Sequence, residues 1–295
     1  MRSSCYRGPV DRSLSRDPAR PAWPLHVHWL GRVDYRDSWA LQRALAAARA
    51  DDRIPDQLLL LEHPPVLTLG RHADESHVLA TPELLASRGI EIHRVERGGE
   101  VTYHGPGQLV GYSIVRLADH DLLLRPFVRA LESALVETCE SFDVAAERRD
   151  GHPGCWVDAA GPAPRKIGAL GVRVERGVSY HGIALNVDLD LGRFELIDAC
   201  GMPGVVSTSI AREAGWIAAA PSAERLGAAA AAFGRALARA LGAELVGRLP
   251  PEAEPAEERS AVDAILGEPD AVSAAPRPPV AAFDQPSPSA VFDPT

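Results

Sequence analysis

Cysteine and lysine are the residue types in this sequence that could form or assist a covalent intermediate. Cys200 follows the apolar run FELI and lies in DACGMPGV, where glycine and proline indicate a turn. A cysteine on such a turn is more accessible for reaction than one on a buried helix face. Cys139, on an apolar helix face, and Cys155, in the strand-like GCWVD, are expected to pack in the core. Cys5 lies in a polar leader without an evident role, so Cys200 is the candidate nucleophile.

The chain contains 30 arginines and a single lysine, Lys166. Arginine replaces lysine readily on a solvated surface, but its guanidinium does not release a proton at any relevant pH. The remaining lysine is therefore a candidate proton acceptor or nucleophile, and the alternative is retention by chance. A thiol at neutral pH needs a neighbouring base or cation to become a thiolate. Because no G-x-S-x-G motif is present, Cys200 and Lys166 are the coherent pair for nucleophilic chemistry.

Three further segments are rich in glycine. RGGEVTYHGPGQLVGYS begins at Arg97, and its glycines would let a ligand approach the backbone closely. Tyr103 and His104 precede its tight GPG turn, where side chains can point into a cleft; a purely structural loop is the alternative. RKIGALG, which contains Lys166, has the small residues of a wall for an acyl chain. In SYHGIALNV, His181 on its own is best interpreted as a satisfied core histidine.

The remaining pattern predicts a mixture of strands and helices. Strands are predicted at residues 25–30, 57–62, 66–70, 92–96, 109–115, 166–174 and 178–187, and helices at residues 37–50, 126–142 and 223–241, with a short one from Thr81. Strands outnumber helices and do not alternate strictly with them. This predicts an α+β fold with a mixed β-sheet flanked by helices.

The tripeptide at residues 175–177 is predicted to be a hairpin turn between the last two of these strands. A three-residue turn would place Lys166 opposite Asn186, and residues 169–171 opposite residues 181–183. The two strands would then contribute to one side of a shared site.

Composition divides the chain into three parts. Residues 1–22 are polar and predicted to be a disordered leader, residues 23–249 form one catalytic domain, and residues 250–295 are an acidic, proline-rich tail predicted to be disordered. The net charge of −9 and the lack of a basic stripe disfavour nucleic-acid binding. No apolar run is long enough for a membrane span or a secretory signal, so a cytoplasmic location is expected. The four cysteines match no zinc-site spacing, and no metal site is predicted.

RGGEVTYHGPGQ, RKIGALGVRV, SYHGIALNV and FELIDACG, in this order and spacing, resemble the lipoyl(octanoyl) transferase family of lipoate biosynthesis. The resemblance covers about residues 25–216. Glu100 departs from the glutamine that is usual in the family, which leaves the role of its side chain open.

The resemblance implies the fold of biotin and lipoate protein ligases and a two-step reaction without a cofactor. Octanoyl would pass from octanoyl-acyl carrier protein to Cys200 as a thioester, assisted by Lys166. It would then pass to a lysine of the lipoyl domains of 2-oxoacid dehydrogenases or of the glycine cleavage H protein. The resemblance also implies the substrate-binding residues Arg97, Gly98, Gly99, Glu100, Val101, Thr102, Tyr103, His104, Ala169, Leu170, Gly171, Gly182, Ile183 and Ala184.

An acyl chain needs an apolar tunnel, for which Ile167, Leu170, Ile183 and Leu185 are candidate wall residues. Three other functions remain open at this point. An ATP-dependent lipoate or biotin ligase on the same fold would need no cysteine. An amidotransferase between carrier domains would use similar cysteine chemistry, and a non-catalytic carrier-binding protein would need neither Cys200 nor Lys166.

Overall fold

The computed structural model describes residues 22–202, 204–216 and 221–251, without the side chain of Cys200. The predicted leader and tail, with Cys5, lie outside the described residues except for Ala22, Pro250 and Pro251. No helix in the described ranges combines the length and the apolar composition that a bilayer crossing requires.

The described residues form strands and helices in an irregular order. The strands are β1 (Pro24–Arg32), β2 (Asp56–Glu62), β3 (Val66–Leu69), β4 (Glu91–Arg94), β5 (Thr102–His104), β6 (Gln108–Ile114), β7 (Glu147–Arg149), β8 (His152–Val157), β9 (Arg165–Glu175), β10 (Val178–Asn186), β11 (Val206–Ser207) and β12 (Glu244–Val246). The helices are α1 (Tyr35–Ala50), α2 (Pro82–Ser87), α3 (Leu124–Glu140), α4 (Ile210–Glu213) and α5 (Ala223–Leu241). Short 3₁₀ turns lie at Glu75–His77, Leu117–His120, Leu191–Leu196 and Ala199–Gly201.

The main sheet is mixed, as predicted. Its strands follow the order β12-β1-β2-β6-β10-β9-β8-β7, and β11 pairs alongside β9. β12, β1 and β2 run parallel, the strands from β2 to β7 pair antiparallel, and β11 runs parallel to β9. A second sheet of order β4-β3-β5 was not predicted. β3 and β4 were predicted as strands, but β5 was not, because three residues are too short for an alternating pattern to show.

Helices cover both faces of the main sheet. β2 shows why its sequence is an unbroken apolar run: Leu58 and Leu60 pack with the core under α3 and α5, whereas Leu59 and Leu61 pack with the core under α1. Cys139 on α3 and Cys155 on β8 are fully buried free thiols in the first of these cores. The core position predicted for both cysteines is confirmed.

The helix limits follow local capping chemistry. α5 matches its prediction, because the Ser222 hydroxyl accepts from the Arg225 N–H and Gly242 ends the helix at φ +61°. α2 begins at Pro82, with Thr81 as its N-cap. α3 begins at Leu124 and not at Pro126, because a proline in the first turn removes an N–H that has no helical partner there.

The predicted register of the β9–β10 hairpin is wrong by one residue. Arg176 and Gly177 both have positive φ, +50° and +79°, and form a two-residue turn with Glu175 paired to Val178. Leu170 therefore faces Ile183, and residues 169–171 face residues 182–184. Lys166 lies beyond the end of β10 and pairs instead with β8 and β11. The two-residue turn requires Arg176 to adopt the left-handed conformation, which glycine takes more readily than other residues.

Candidate functional site

A cavity of about 410 Å³ lies where the β9–β10 hairpin meets residues 97–104, called here the glycine-rich loop. This volume is within the range of small-molecule sites. It is lined by Tyr35, residues 97–102, His104, Tyr112, Leu124, Val128, residues 151–153, Lys166, residues 169–172, residues 181–184 and Met202. The structure thus brings together around one space all three glycine-containing segments singled out from the sequence.

The glycine-rich loop lies flat on β9 because two glycines leave room for its backbone. A Cβ at Gly171 would lie 2.7 Å from the Gly98 carbonyl oxygen, and a Cβ at Gly70 would lie 1.8 Å from that of Gly99. The Gly98 N–H donates to the Val172 carbonyl at 3.2 Å, which fixes the loop on the strand. The close backbone approach is therefore built into the sequence at these glycines.

Arg97 holds the base of this loop. Its buried guanidinium donates to the Thr68 carbonyl at 2.6 Å, to the Thr68 hydroxyl at 2.9 Å and to the Gly98 carbonyl at 2.9 Å. Arg97 lines the cavity, and these contacts make it an organiser of the cavity wall as well as a candidate binding residue.

Tyr103 is the predicted binding residue of the loop that does not line the cavity. β5 alternates its side chains, so that Thr102 and His104 face the cavity while Tyr103 points the other way. There Tyr103 packs in the core of the small sheet, with its ring 6.0 Å from that of Phe194. The sequence analysis predicted that Tyr103 and His104 both point into a cleft. Because neighbouring side chains of a strand point to opposite faces, only His104 does so.

Lys166 occupies one end of the cavity and is largely buried. Its Nζ donates to the Pro153 carbonyl at 3.1 Å and lies 5.1 Å from the centroid of the Trp156 ring. Room for the side chain exists because residue 154 is glycine: a Cβ there would lie 2.8 Å from Lys166 Cε. A buried ammonium needs such partners, and a carbonyl and an aromatic face are two of the groups that stabilise it.

Cys200 lies in the 3₁₀ turn Ala199–Gly201, next to the cavity. Gly201 has φ +63°, and a Cβ at this position would lie 2.7 Å from Glu100 Cγ and 3.1 Å from His77 Cε1. Met202, two residues after Cys200, lines the cavity. The backbone of Cys200 is therefore between a residue packed on the glycine-rich loop and the buried Ala199.

Glu100 joins this turn to the loop. Its carboxylate accepts from the Asp74 N–H at 3.1 Å and lies 3.3 Å from Nδ1 of His77. Its side chain thus has a structural role that a glutamine would also partly fill, since an amide oxygen can accept the same backbone N–H.

His181 is not the satisfied core histidine expected from the sequence. Its ring is buried and lines the cavity, but neither ring nitrogen has a hydrogen-bond partner among the described residues. Its φ is +58°, inside a strand, a conformation that costs a non-glycine residue about 1–3 kcal/mol. The backbone is held there by its N–H, which donates to the Gln42 side-chain oxygen at 2.9 Å. Burial lowers the pKa of His181 to about 3, so the imidazole is neutral at pH 7.

The end of the cavity beside His181 contains residues that sequence reasoning missed. Tyr35 of α1 and Tyr112 of β6 line it, and His104 stacks on Tyr35 at 6.1 Å between ring centroids. Burial lowers the pKa of His104 to about 3, and His63 behind it has a pKa lowered to about 4 for the same reason. The only sequence signal for this group was the density of aromatic and histidine residues in otherwise apolar strands.

Two of the four residues predicted to form the wall of an acyl tunnel line the cavity. Leu170 and Ile183 line the cavity, with Leu124 and Val128 of α3. Ile167 and Leu185 are fully buried in the main core and do not line it. Ile167 points to the opposite side of β9 from Lys166, as neighbouring strand residues must.

Residues 34–216 match the family model of the lipoyl protein ligase A/B catalytic domain. The octanoyltransferase of Acidobacterium capsulatum is 48% identical over 197 residues, which cover 64% of this chain and 80% of that protein. The octanoyltransferase of Chloroflexus aurantiacus is 48% identical over 204 residues, which cover 68% of this chain and 90% of that protein.

Solved structures of similar fold include a lipoate-protein ligase A bound with ATP, with a TM-score of 0.56 and 13% identity over 82% of this chain and 95% of that one. A bi-partite lipoate protein ligase from Thermoplasma acidophilum gives a TM-score of 0.56 and 14% identity over 82% of this chain and 93% of that one. At these identities the likeness concerns the fold alone, and it confirms the predicted ligase-like architecture. With the sequence matches, it shows that the chain is an acyltransferase that belongs to the lipoyl(octanoyl) transferase family.

Proposed function

We propose that this protein transfers an octanoyl group from octanoyl-acyl carrier protein to a lysine of a lipoyl domain through a thioester on Cys200. The observation that carries the proposal is the cavity itself. It joins the single lysine of the chain, a glycine-rich loop and an apolar wall, and Met202 brings the turn of Cys200 to its edge. The octanoyl group comes from the family, whose curated relatives are octanoyltransferases.

The chemistry has two acyl transfers. In the first, the Cys200 sulfur attacks the thioester carbonyl of the donor; a C–S bond to Cys200 forms, the C–S bond to the carrier breaks, and the proton ends on the carrier thiol. In the second, the acceptor amine attacks the Cys200 thioester; a C–N bond forms, the C–S bond to Cys200 breaks, and a proton of the amine ends on the Cys200 sulfur. Lys166 would move these protons and stabilise the thiolate. Exchange between thioesters is nearly balanced and the amide is more stable, so no ATP is required.

The acyl chain would lie between Leu124 and Val128 on one side and Leu170 and Ile183 on the other. At ~0.8 kcal/mol per buried methylene, an eight-carbon chain gains roughly 5 kcal/mol from such a wall. The acceptors we propose are lipoyl domains, among them those of 2-oxoacid dehydrogenases and the glycine cleavage H protein.

An ATP-dependent lipoate ligase is the second candidate, because the solved structures of similar fold include a ligase bound with ATP. That reaction passes through an acyl-adenylate and needs no cysteine at position 200. A lipoyl-domain amidotransferase would need the cysteine but would take its acyl group from another lipoyl domain.

The test is intact-protein mass spectrometry after mixing the protein with octanoyl-acyl carrier protein in the absence of ATP. We expect an octanoyl adduct that hydroxylamine removes, and that is absent in Cys200→Ser but present in the matched variant Cys155→Ser. Octanoylation of a lipoyl domain that requires free octanoate and ATP, without an adduct on Cys200, would support the ligase, and an adduct formed only from an octanoylated lipoyl domain would support the amidotransferase.

A further inference from the structure

The imidazole of His181 differs from those of the neighbouring buried histidines. His63 contacts the Val33 carbonyl and the Tyr112 hydroxyl, both at 2.7 Å, and His104 contacts the Gln108 side-chain oxygen at 2.7 Å. Both nitrogens of His181 are without a partner in the described part of the chain. Buried polar atoms in native proteins are nearly always paired, with protein, water or ligand. A partner for His181 would therefore come by way of the cavity that the residue lines.

The location of His181 decides which part of an acyl chain it would meet. His181 pairs with Val172 of β9, six residues along the strand from Lys166. At ~3.3 Å per residue, the two positions are about 20 Å apart along β9. An octanoyl chain has seven C–C bonds of ~1.5 Å and spans at most about 11 Å. A chain whose carbonyl lies at the Lys166 end therefore has its last carbon, and not its carbonyl, nearer to His181, and a terminal C–O bond, a hydrogen bond and the imidazole side chain must span the remaining distance of roughly 9 Å.

The surroundings of His181 are polar for a site that would receive a methyl group. Tyr35, Tyr112 and His104 line the same end of the cavity, and the Tyr112 ring lies 6.3 Å from that of His181. The Gln42 side chain, which holds the His181 backbone, is at the same place, and its buried nitrogen has no hydrogen bond within geometric limits to another described residue. A neutral imidazole offers one donor and one acceptor. A small hydroxyl group, which both donates and accepts, fits that pair of functions.

We propose that His181 is a specificity-determining residue that hydrogen-bonds a polar atom at the far end of the bound acyl chain. The cavity then takes medium-chain acyl groups that carry a hydroxyl on the last carbon, in addition to octanoyl. This inference rests on the proposed function for the orientation of the acyl chain, with its carbonyl at the Lys166 end.

The test compares two free acids of equal size, 8-hydroxyoctanoate and nonanoate, in which a hydroxyl replaces a methyl group. Their dissociation constants are measured by titration calorimetry with the full chain, for wild type, His181→Leu and the control His152→Leu. His152 lines the cavity at the Lys166 end, so its loss tests whether any lining histidine has the effect. We expect the preference for the hydroxy acid to fall about tenfold in His181→Leu, to survive in His181→Gln, and to stay unchanged in His152→Leu.

An unchanged preference in folded His181→Leu, or no binding of either acid to wild type, would overturn the proposal. If His181→Leu does not fold, a crystal structure of wild type with 8-hydroxyoctanoate decides. The hydroxyl oxygen must then lie within hydrogen-bond distance of an imidazole nitrogen, and a water there instead refutes the proposal. Failure of the proposed function would look different, because the Cys200 adduct would be missing while the two acids still bound with the expected preference.

Discussion

Each end of the cavity contains a buried polar side chain, and the two side chains differ in their hydrogen-bond partners. At one end Lys166 is a buried cation with partners: a carbonyl oxygen at 3.1 Å, the Trp156 ring, and a place kept open by Gly154. At the other end His181 is a buried neutral ring whose nitrogens have no hydrogen-bond partner among the described residues, and its backbone is in a left-handed conformation. Fixed partners position the group that we propose to act on protons, whereas nitrogens without partners leave capacity for the ligand that we propose.

The difference arises from where each residue lies in its strand. Lys166 is near the start of β9, beyond the end of β10, where β8 and β11 supply its neighbours. His181 lies inside β10 between β6 and β9, and it lines the cavity. β8 brings the Pro153 carbonyl and the Trp156 ring to the Lys166 ammonium, whereas no group of the described residues hydrogen-bonds the His181 nitrogens.

Among the variants that test the difference between the two ends of the cavity, we expect the largest effect from Lys166→Arg. The guanidinium keeps the charge but cannot exchange a proton, and it is bulkier than the place beside Gly154. We expect octanoyl transfer to fall by a factor of about 10²–10⁴, the contribution typical of a positioned acid or base. Turnover is measured with octanoyl-acyl carrier protein and a lipoyl domain, alongside a thermal melt to verify folding.

Arg165→Lys is the matched control, because it exchanges the same two residue types at the neighbouring position. Arg165 donates to the Glu213 carboxylate at 2.8 and 2.9 Å and lies outside the cavity lining. We expect this variant to keep its turnover. Comparable activity of folded Lys166→Arg and wild type would show that position 166 serves only as a charge.

The His181 end should reveal itself through the pH dependence of stability. Burial lowers the pKa of His63 to about 4 and those of His104 and His181 to about 3, whereas an unfolded histidine titrates near 6.5. Between pH 6.5 and 4 the unfolded state binds protons that the folded state does not. The free energy of unfolding must therefore fall as the pH falls, by up to about 1.4 kcal/mol per pH unit for each histidine.

Urea denaturation at pH 7, 6, 5 and 4.5 measures this slope. We expect His181→Leu to reduce it by the share of one histidine. Equal slopes in His181→Leu and wild type would mean that His181 is already protonated, or that the unfolded chain does not gain the proton.

The sequence was sufficient to predict those elements whose burial leaves a clear apolar pattern, either an unbroken run or a helical spacing. The run at 57–62 and the helix at 223–241 were predicted almost residue for residue, because each shows the pattern of the core it packs against. The hairpin register was missed because Arg176 adopts a conformation usually associated with glycine. The position of His181, with no hydrogen-bond partner for its ring nitrogens in the described ranges, could not be predicted, since its backbone is held by Gln42, which is 139 residues away in the sequence. The spacing of residues along the sequence does not show which distant residues will come into contact.

Gly171→Ala tests how the glycine-rich loop packs on β9, between the two ends of the cavity. A methyl group there would lie 2.7 Å from the Gly98 carbonyl, so the loop would have to move away from β9. A Cβ at Gly98 would lie 3.4 Å from the Val172 carbonyl, an ordinary contact. We expect Gly171→Ala to lose about 1–3 kcal/mol of unfolding free energy and Gly98→Ala clearly less, by urea denaturation. Equal losses would show that the loop is not seated on β9 through Gly171.

Truncation after Pro250 should have the smallest effect of all. Leu249 is buried in the main core, and Pro250 packs on Gly227 of α5, so the last residues that stabilise the domain are kept. Residues 251–295 carry nine acids, two arginines and few apolar groups, a composition that does not add to a core. We expect the truncated protein to keep its melting temperature and its rate of Cys200 acylation. A large loss of turnover in a folded truncation would show that the tail takes part in the reaction, for example in docking the carrier proteins.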